Sequence, residues 1–345
     1  MYLSKLTYRD AAWEIGPIHF SQQSLIVGPN ASGKSTVLRY IRKFVRIVLG
    51  YSKVEALPDC QYELEFSNDI GIVTYTLHIR DGRIVKELLE TSGTVRLVRD
   101  EKWSRVGDEA VNVPETTLVL NARRDIVKYP DIEMVLTWVE KMSSFIFSNI
   151  LSSNSSVSPF TTSQLDICVM WEKLTDAQKT AVKKWMRELH YRIKTIDIAR
   201  NKLGQKSLFV VEDEVANPVI MVNMSNGMFR VLYLLVYLHY VASYTSGAVL
   251  IDDIGEGLDY FRSSSLGKKL FAFGQEHGVQ MIVTSNDSFL VDTIDLSAWV
   301  LLKRTGRVVT SISAKTNPED FARFRKLGLS NFDLMKTDFL VRYFD

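Results

Sequence analysis

The sequence predicts an α/β protein with a mainly parallel sheet, an antiparallel β lobe and an inserted helical lobe. Three observations carry this. SLIVG (24–28) and AVLID (248–252) are short apolar runs of the length and composition of buried strands. Each is followed by a polar turn and then a segment of helical periodicity, the strand–turn–helix order of a parallel sheet. Between about 60 and 120 the chain instead becomes a series of short segments rich in Val, Ile, Thr and Tyr, separated by turn residues.

The turn after SLIVG is GPNASGKST (28–36), in which Gly28, Gly33, Lys34 and Ser35 match G-x-x-x-x-G-K-[ST]. Its glycines let backbone N–H groups turn inward and form a nest for phosphate oxygens. The residues facing the nest are Gly28, Pro29, Asn30, Ala31, Ser32, Gly33, Lys34, Ser35 and Thr36. Lys34 would reach the β- and γ-phosphates, the Ser35 hydroxyl would sit on Mg²⁺, and the positive end of the following helix would add to the anion site. In that helix, Val37, Leu38, Ile41, Val45, Ile47 and Val48 are near helical spacing.

Composition bounds the rest. The 345 residues suit one large domain or two modest ones, and 46% hydrophobic with 24% charged residues is globular. A net charge of +2 gives no whole-chain case for nucleic acid, so any basic surface must be local. Cys60 and Cys168 are far apart without metal-binding spacing, which fits two structural thiols in a reducing compartment. MYLSKLTYRD lacks the apolar core of a signal peptide, and VLYLLVYL (231–238) is too short to cross a bilayer. A cytoplasmic protein with no membrane partner is expected.

Taken in order, MYLSKLTYRD and WEIGPIHF read as strands leading into SLIVG. CQYELEF, GIVTYTLHIR, RIVKELLET, TVRLVRD and TTLVLNAR read as strands of the β lobe, 60–120. The segment 130–203 reads as a helical lobe: one helix over DIEMVLTWVEKMSSFIF, a Ser/Thr-rich loop at 152–163, and a second helix over TDAQKTAVKKWMRELHYRI capped by Thr175. Lys183, Arg187, His190 and Lys194 recur at i, i+4, i+7 and i+11, either a solvated helix face or a patch for nucleic acid or an acidic partner. SLFVVEDE and NPVIMVNM read as strands, 228–244 as a long apolar helix, VQMIVTS as a third buried strand, and AWVLLKR with RVVTSIS as a closing hairpin before a helical tail. The β and helical lobes read as insertions into one core, with 204–345 as its second half.

AVLID runs into Asp252 and Asp253. By itself this is a core strand ending in a solvated acidic turn. After a phosphate loop, the Asp252 carboxylate is placed to hold Mg²⁺ and Asp253 to orient an attacking water. DDIGEGLD then lines up without gaps with the Walker B and D-loop segment of ABC-type ATPases, D-E-P-x-x-x-L-D. MSNGMFR (224–230) stands where those proteins carry the signature turn S-x-G, and IVTSNDSFLVD (282–292) stands at their switch segment. The whole of 1–345 resembles a single ABC-type ATPase domain, a P-loop NTPase of the AAA-annotated branch related to RecF, SMC and OLD proteins.

The resemblance implies ATP and Mg²⁺ as ligands and a head-to-head homodimer or larger homo-oligomer. Each ATP would lie between one subunit's phosphate loop and the other's signature turn, contacted there by Ser225 and the backbone of Gly227. It also implies a separate effector, a nuclease or toxin, since stand-alone members of this branch often sit in anti-phage systems. A RecF-like DNA-repair ATPase and a non-hydrolysing scaffold are the alternatives. The sequence departs from the family pattern at the general base, where Glu is replaced by Asp253, and at the switch His, replaced by Asn286, which cannot take a proton. A carboxylate set back by about 1 Å costs on the order of a hundredfold in rate, so slow turnover is expected. Arg123 and Arg124, which follow TTLVLNA, are either surface arginines or phosphate or partner contacts, and Arg230, one turn into the signature helix, could reach Asp252, Asp259 or the nucleotide.

Overall fold

A computed structural model describes residues 1–69, 71–100, 103–122, 124–146, 166–200, 204–244, 247–331 and 333. The chain enters through β1 (Tyr2–Asp10) and β2 (Glu14–His19), an antiparallel pair, and then β3 (Gln23–Val27), every residue of which is buried. The loop of residues 28–33 leads into α1 (Lys34–Val48), which buries Val37, Leu38, Ile41, Phe44, Val45 and Val48 at helical spacing. The hairpin ladder follows: β4 (Cys60–Ser67), β5 (Ile72–Arg80), β6 (Arg83–Thr91), β7 (Thr94–Arg99), β8 (Ser104–Val106) and β9 (Glu109–Ala110), each antiparallel to the last. The short α2 (Val119–Ala122), α3 (Pro130–Lys141) and β10 (Ser143–Ile146) close this half.

Beyond the undescribed residues come α4 (Ile167–Lys173), α5 (Asp176–Glu188), β11 (Ile193–Arg200), β12 (Lys206–Glu212) and β13 (Val219–Ile220). Then follow α6 (Asn226–Tyr244), β14 (Ala248–Asp252), α7 (Tyr260–Glu276), β15 (Gln280–Thr284), α8 (Ser288–Thr293), β16 (Trp299–Thr305), β17 (Val308–Ser313) and α9 (Pro318–Lys326).

Among the described residues, one 14-stranded sheet runs β10-β14-β15-β3-β16-β17-β2-β1-β4-β5-β6-β7-β8-β9, and β11-β12-β13 form a separate antiparallel sheet. The first five strands of the large sheet are parallel to one another. The β lobe is therefore continuous with the central sheet, joined through the pairing of β1 with β4. The sheet separates two apolar layers. Ile26, Leu250 and Ile282 face α1, α3 and the β lobe, while Leu25, Val27, Ile251 and Val283 face α4 to α7. This alternation buries both faces of the parallel strands.

Three local expectations are corrected. TTLVLNA contains a helix, α2, because the fully buried Glu87 carboxylate accepts the N–H groups of Val119 (2.7 Å) and Leu120 (2.8 Å) and so caps a helical turn. The helix expected over 131–147 stops at Lys141, and Ser143–Ile146 pairs with Val249–Asp252 at the edge of the parallel sheet. Ile193–Arg200, expected to be helical, is a strand on β12. At Ser143–Ile146 pairing with a distant strand overrides a locally helical pattern, and Ile193–Arg200 is the first strand of a hairpin with the next strand, β12. The Ser/Thr-rich loop at 152–163 lies outside the described residues. Cys60 and Cys168 are buried free thiols, both pushed up to about 11 by burial. Among the described residues no helix is long and apolar enough to cross a membrane.

Candidate functional site

The site lies at the C-terminal ends of three neighbouring parallel strands, β3, β15 and β14, where the ends of a parallel sheet present their loops together. At β3 the loop is held in two left-handed turns, Ala31 (φ 63) and Gly33 (φ 101). A side chain at Gly33 would strain the backbone and approach Val309 Cγ2 to 3.0 Å. α1 begins at Lys34 with no side-chain cap, which leaves first-turn N–H groups for an anion. Ser32 Oγ is buried beside Gly28 with no hydrogen-bond partner among the described residues. Lys34 Nζ donates to the carbonyls of Gly28 (2.8 Å) and Pro29 (3.0 Å). Uncapped amides, an orphan hydroxyl and a cation held only by carbonyls are what a phosphate group would satisfy, so the residues fit a nucleotide.

Asp252, at the end of β14, joins the strands. Its Oδ1 accepts from Ser35 Oγ (2.9 Å) and from Thr284 Oγ1 at the end of β15 (2.6 Å). Hydroxyl and carboxylate oxygens are the donor set of a hard divalent cation, so Ser35 and Asp252 fit Mg²⁺. Thr284 was not singled out from the sequence; the signal available was its place as the last residue of a buried strand.

Asp253 has a left-handed backbone (φ 60), with its N–H donated to Thr284 Oγ1 (2.8 Å). Its carboxyl is held above the usual range, first by burial and then by Glu256 and Asp252, against the pull of Lys34 and Arg230. Burial also draws the Lys34 ammonium below its usual range, opposed by Asp253 and Asp252. Asn286, just past β15, donates from Nδ2 to Asn30 Oδ1 in the loop (2.9 Å). Lys34, Ser35, Asp252, Asp253, Asn286 and Asn30 are thus gathered at one edge.

Ser225 and Gly227 make their contacts elsewhere. Ser225 Oγ accepts the N–H of Met228 (3.3 Å) at the start of α6. Gly227 packs on Leu258 and Tyr191, lining a cleft of about 560 Å³ with His190, Arg192, Asp259 and Arg262. Asp259 caps α7 through the N–H of Arg262 (3.0 Å). Arg230 Nη1 donates to the Glu256 carbonyl (3.0 Å) and stands 3.9 Å from the Glu256 carboxylate. Arg124 is tied to Glu133 and Glu140 of α3, and Arg123 lies outside the described residues.

The four-residue basic stripe does not form one helix face. α5 ends at Glu188, His190 turns left-handed (φ 59) and stacks on Phe261, and Lys194 belongs to β11. Arg187 lies 3.4 Å from Asp213, a weak, exposed pairing.

The comparison that decides the family is with the one described as "AAA domain, putative AbiEii toxin, Type IV TA system", which matches residues 24–292. The chain belongs to this AAA-domain family. The matched span of the AAA domain begins in β3 and ends in α8, so it takes in every residue of the gathered site. No curated protein matches the sequence. Among solved structures, an SMC head bound to the C-terminal winged-helix domain of ScpA is similar at 12% identity and a TM-score of 0.59, covering 92% of this chain and all of that one. A head domain with an extended coiled coil, bound to the C-terminal domain of ScpA derived from Pyrococcus furiosus, is similar at 11% identity and a TM-score of 0.51, covering 94% and 99%. At such identities the likeness is one of fold: this AAA domain has a P-loop NTPase architecture, shared with the SMC head domains.

Proposed function

We propose that the chain is a slow, Mg²⁺-dependent ATPase that works as an ATP-gated homodimer or larger homo-oligomer and controls a separate effector in anti-phage defence. One observation carries the reading. The residues for nucleotide and metal (Lys34, Ser35, Asp252, Asp253, Asn286) are gathered at one sheet edge, while the exposed turn Ser225–Gly227 makes its contacts around a different cleft. A second copy, turned head to head, would bring that turn to the nucleotide. α6 begins at Asn226, and its positive end would face the γ-phosphate.

Within the subunit, Lys34 and the uncapped amides of α1 bind the phosphates, Ser35 and Asp252 hold Mg²⁺, and Asp253 orients water. Mg²⁺ supplies charge neutralisation at the phosphates. Asn286, bonded to Asn30, ties the switch segment to the loop without offering a proton acceptor. Turnover is therefore slow, and bound ATP acts mainly to hold the dimer. The words "toxin" and "TA system" in the family's description support a place in defence, and the ScpA-bound SMC heads supply a precedent for this fold docking a partner protein.

The test is sedimentation of the purified chain with and without Mg²⁺–ATP, beside steady-state ATP hydrolysis. ATP should convert monomer to dimer. Lys34→Ala should abolish both dimer and hydrolysis, and Asp253→Ala should hold the dimer while stopping hydrolysis. Lys34→Ala that binds and hydrolyses ATP normally would overturn the reading.

A further inference from the structure

Along α1 cations are gathered and acids are missing. Arg39, Arg42, Lys43 and Arg46 stand at i, i+3, i+4 and i+7, so they share one side of the helix. Ser35 begins that same side at the nucleotide end. The helix contains neither Asp nor Glu. Arg39 and Arg46 are exposed, Arg42 and Lys43 half-buried, and every other residue from Val37 to Val48 is buried. The row of cations is therefore the one strip of α1 left open over that span. From Arg39 to Arg46, at ~1.5 Å per residue, it is about 10 Å long.

Among the described residues none of the four stands within ion-pair distance of a carboxylate. Lys43 Nζ lies 5.7 Å from the ring centres of Tyr8 and Tyr40 and 3.5 Å from the Tyr8 hydroxyl. Asp10, beyond those rings, is already occupied: the hydroxyls of Tyr8 and Tyr40 and the N–H groups of Ala12 and Trp13 all donate to it. Asp252 attracts Arg42 from a distance but is bonded to Ser35 and Thr284. Elsewhere on the surface Arg96, Arg124 and Arg325 are held by carboxylates at 2.9 Å or closer. Arg46 by itself answers the negative end of the helix. Arg39 and Arg42, in mid-helix, have no such account. Arg39 with Lys43, and Arg42 with Arg46, are like-charge pairs at i, i+4, unfavourable until a negative surface faces them.

Resting on the reading above that the chain controls a separate effector, we propose that this strip of α1 docks an acidic segment of the effector protein. Its charge calls for an anionic partner, and three features select protein over nucleic acid. The strip is short and partly recessed, with four cations, whereas a duplex-binding surface typically makes about 6–10 phosphate contacts. Its cations are three Arg to one Lys. Tyr51, 47% exposed, stands at its C-terminal end, its N–H donated to the Arg46 carbonyl (2.9 Å). Arg and Tyr are enriched at protein interfaces and Lys is depleted. A net charge of +2 supplies no wider positive field for a nucleic acid. The guanidinium forks of Arg39, Arg42 and Arg46 suit Asp and Glu carboxylates, which they can receive through two parallel bonds. Because α1 opens at Lys34 and Ser35, a segment docked there sits on the helix that carries the phosphate loop.

The acidic probe is a polyglutamate peptide of about twenty residues, set against a DNA duplex of equal charge. Fluorescence anisotropy at about 50 and about 300 mM salt compares full-length wild type, Arg39→Ala/Arg46→Ala and Arg39→Lys/Arg46→Lys. Sedimentation with and without Mg²⁺–ATP runs beside it. Wild type should bind the peptide more tightly than the duplex. The alanine pair should lose roughly tenfold in peptide affinity at the lower salt, and less at the higher. The lysine pair, which keeps the charge and loses the fork, should lose about threefold. Both pairs should keep the ATP-driven dimer within about twofold of wild type, since neither side chain touches the nucleotide site. Equal peptide affinity in wild type and the alanine pair, or no peptide binding, would overturn the proposal and leave the row a solvated helix face. So would a duplex bound more tightly than the peptide, with a salt slope that falls by about 2 in the alanine pair, the mark of two lost phosphate contacts. Wild type that stays monomeric with saturating ATP would instead overturn the gated-dimer reading, and the peptide arm is read independently of it.

Discussion

Ser35 and Asp252, 217 positions apart in the chain, meet at 2.9 Å between Oγ and Oδ1. Both are proposed Mg²⁺ ligands, and each satisfies the other. Asp252→Asn keeps an acceptor for Ser35 and Thr284 but removes the charge that attracts the metal. ATP affinity without metal should stay within about twofold of wild type, while the gain on adding Mg²⁺ should shrink by roughly 10- to 100-fold, the equivalent of about 1.5–3 kcal/mol for a bond to a charged group. Calorimetric titration of ATP with and without Mg²⁺ checks this; an undiminished Mg²⁺ effect in Asp252→Asn would exclude Asp252 as a ligand.

Asp253, proposed to orient the attacking water, also carries a backbone constraint. Its φ of 60 belongs to a region that Asp enters far more readily than longer side chains do. Asp253→Glu, which restores the family residue, should therefore fail to raise kcat and should lower stability by about 1 kcal/mol. Hydrolysis rate and thermal midpoint decide it. A tenfold rise in kcat would show that side-chain length alone limits turnover.

Much of this arrangement was legible in the sequence, for physical reasons. β3, β14 and β15 are buried along almost their whole length, so they read as unbroken apolar runs, and the loop after β3 carries its chemistry in consecutive residues. What was not legible depended on distant partners. Ser143–Ile146 takes its form from β14, and Val119–Leu120 from Glu87, 32 and 33 positions away. The Asn286–Asn30 bond, and the turn of Arg230 toward Glu256, were equally out of reach of spacing arguments. The basic stripe failed at one residue: the left-handed His190 ends the helix that the spacing assumed.

Ala31 is a second non-glycine residue held left-handed within the site (φ 63), and its carbonyl faces Arg304 Nη1 at 3.5 Å. For an L residue this conformation costs about 1–2 kcal/mol, partly offset because alanine has less freedom than glycine in the unfolded chain. Ala31→Gly should leave the thermal midpoint equal or raise it by roughly 1–3 °C, whereas Ala31→Val should lower both the midpoint and ATP affinity. A midpoint that falls in Ala31→Gly would show that the loop gains nothing from relief at this position.

His239 sets an acid limit far from the nucleotide. Its ring lies among Trp185, Phe273 and His277, and Nε2 has no partner among the described residues. Burial, with a smaller contribution from His277, lowers its pKa from 6.5 to about 4. The sign follows from proton counting. Above pH 6.5 the ring is neutral in folded and unfolded chains alike, and nothing is lost. As pH falls from there toward 4, the unfolded chain takes up a proton that the folded chain refuses, so stability drops. Between pH 7 and pH 4.5 the loss is on the order of 2–3 kcal/mol. Urea unfolding of wild type between pH 7 and pH 4.5 should show this decline. In His239→Leu the decline should be shallower by about that amount, whatever the variant's stability at neutral pH. Parallel pH curves for the two proteins would show that His239 does not carry the acid sensitivity.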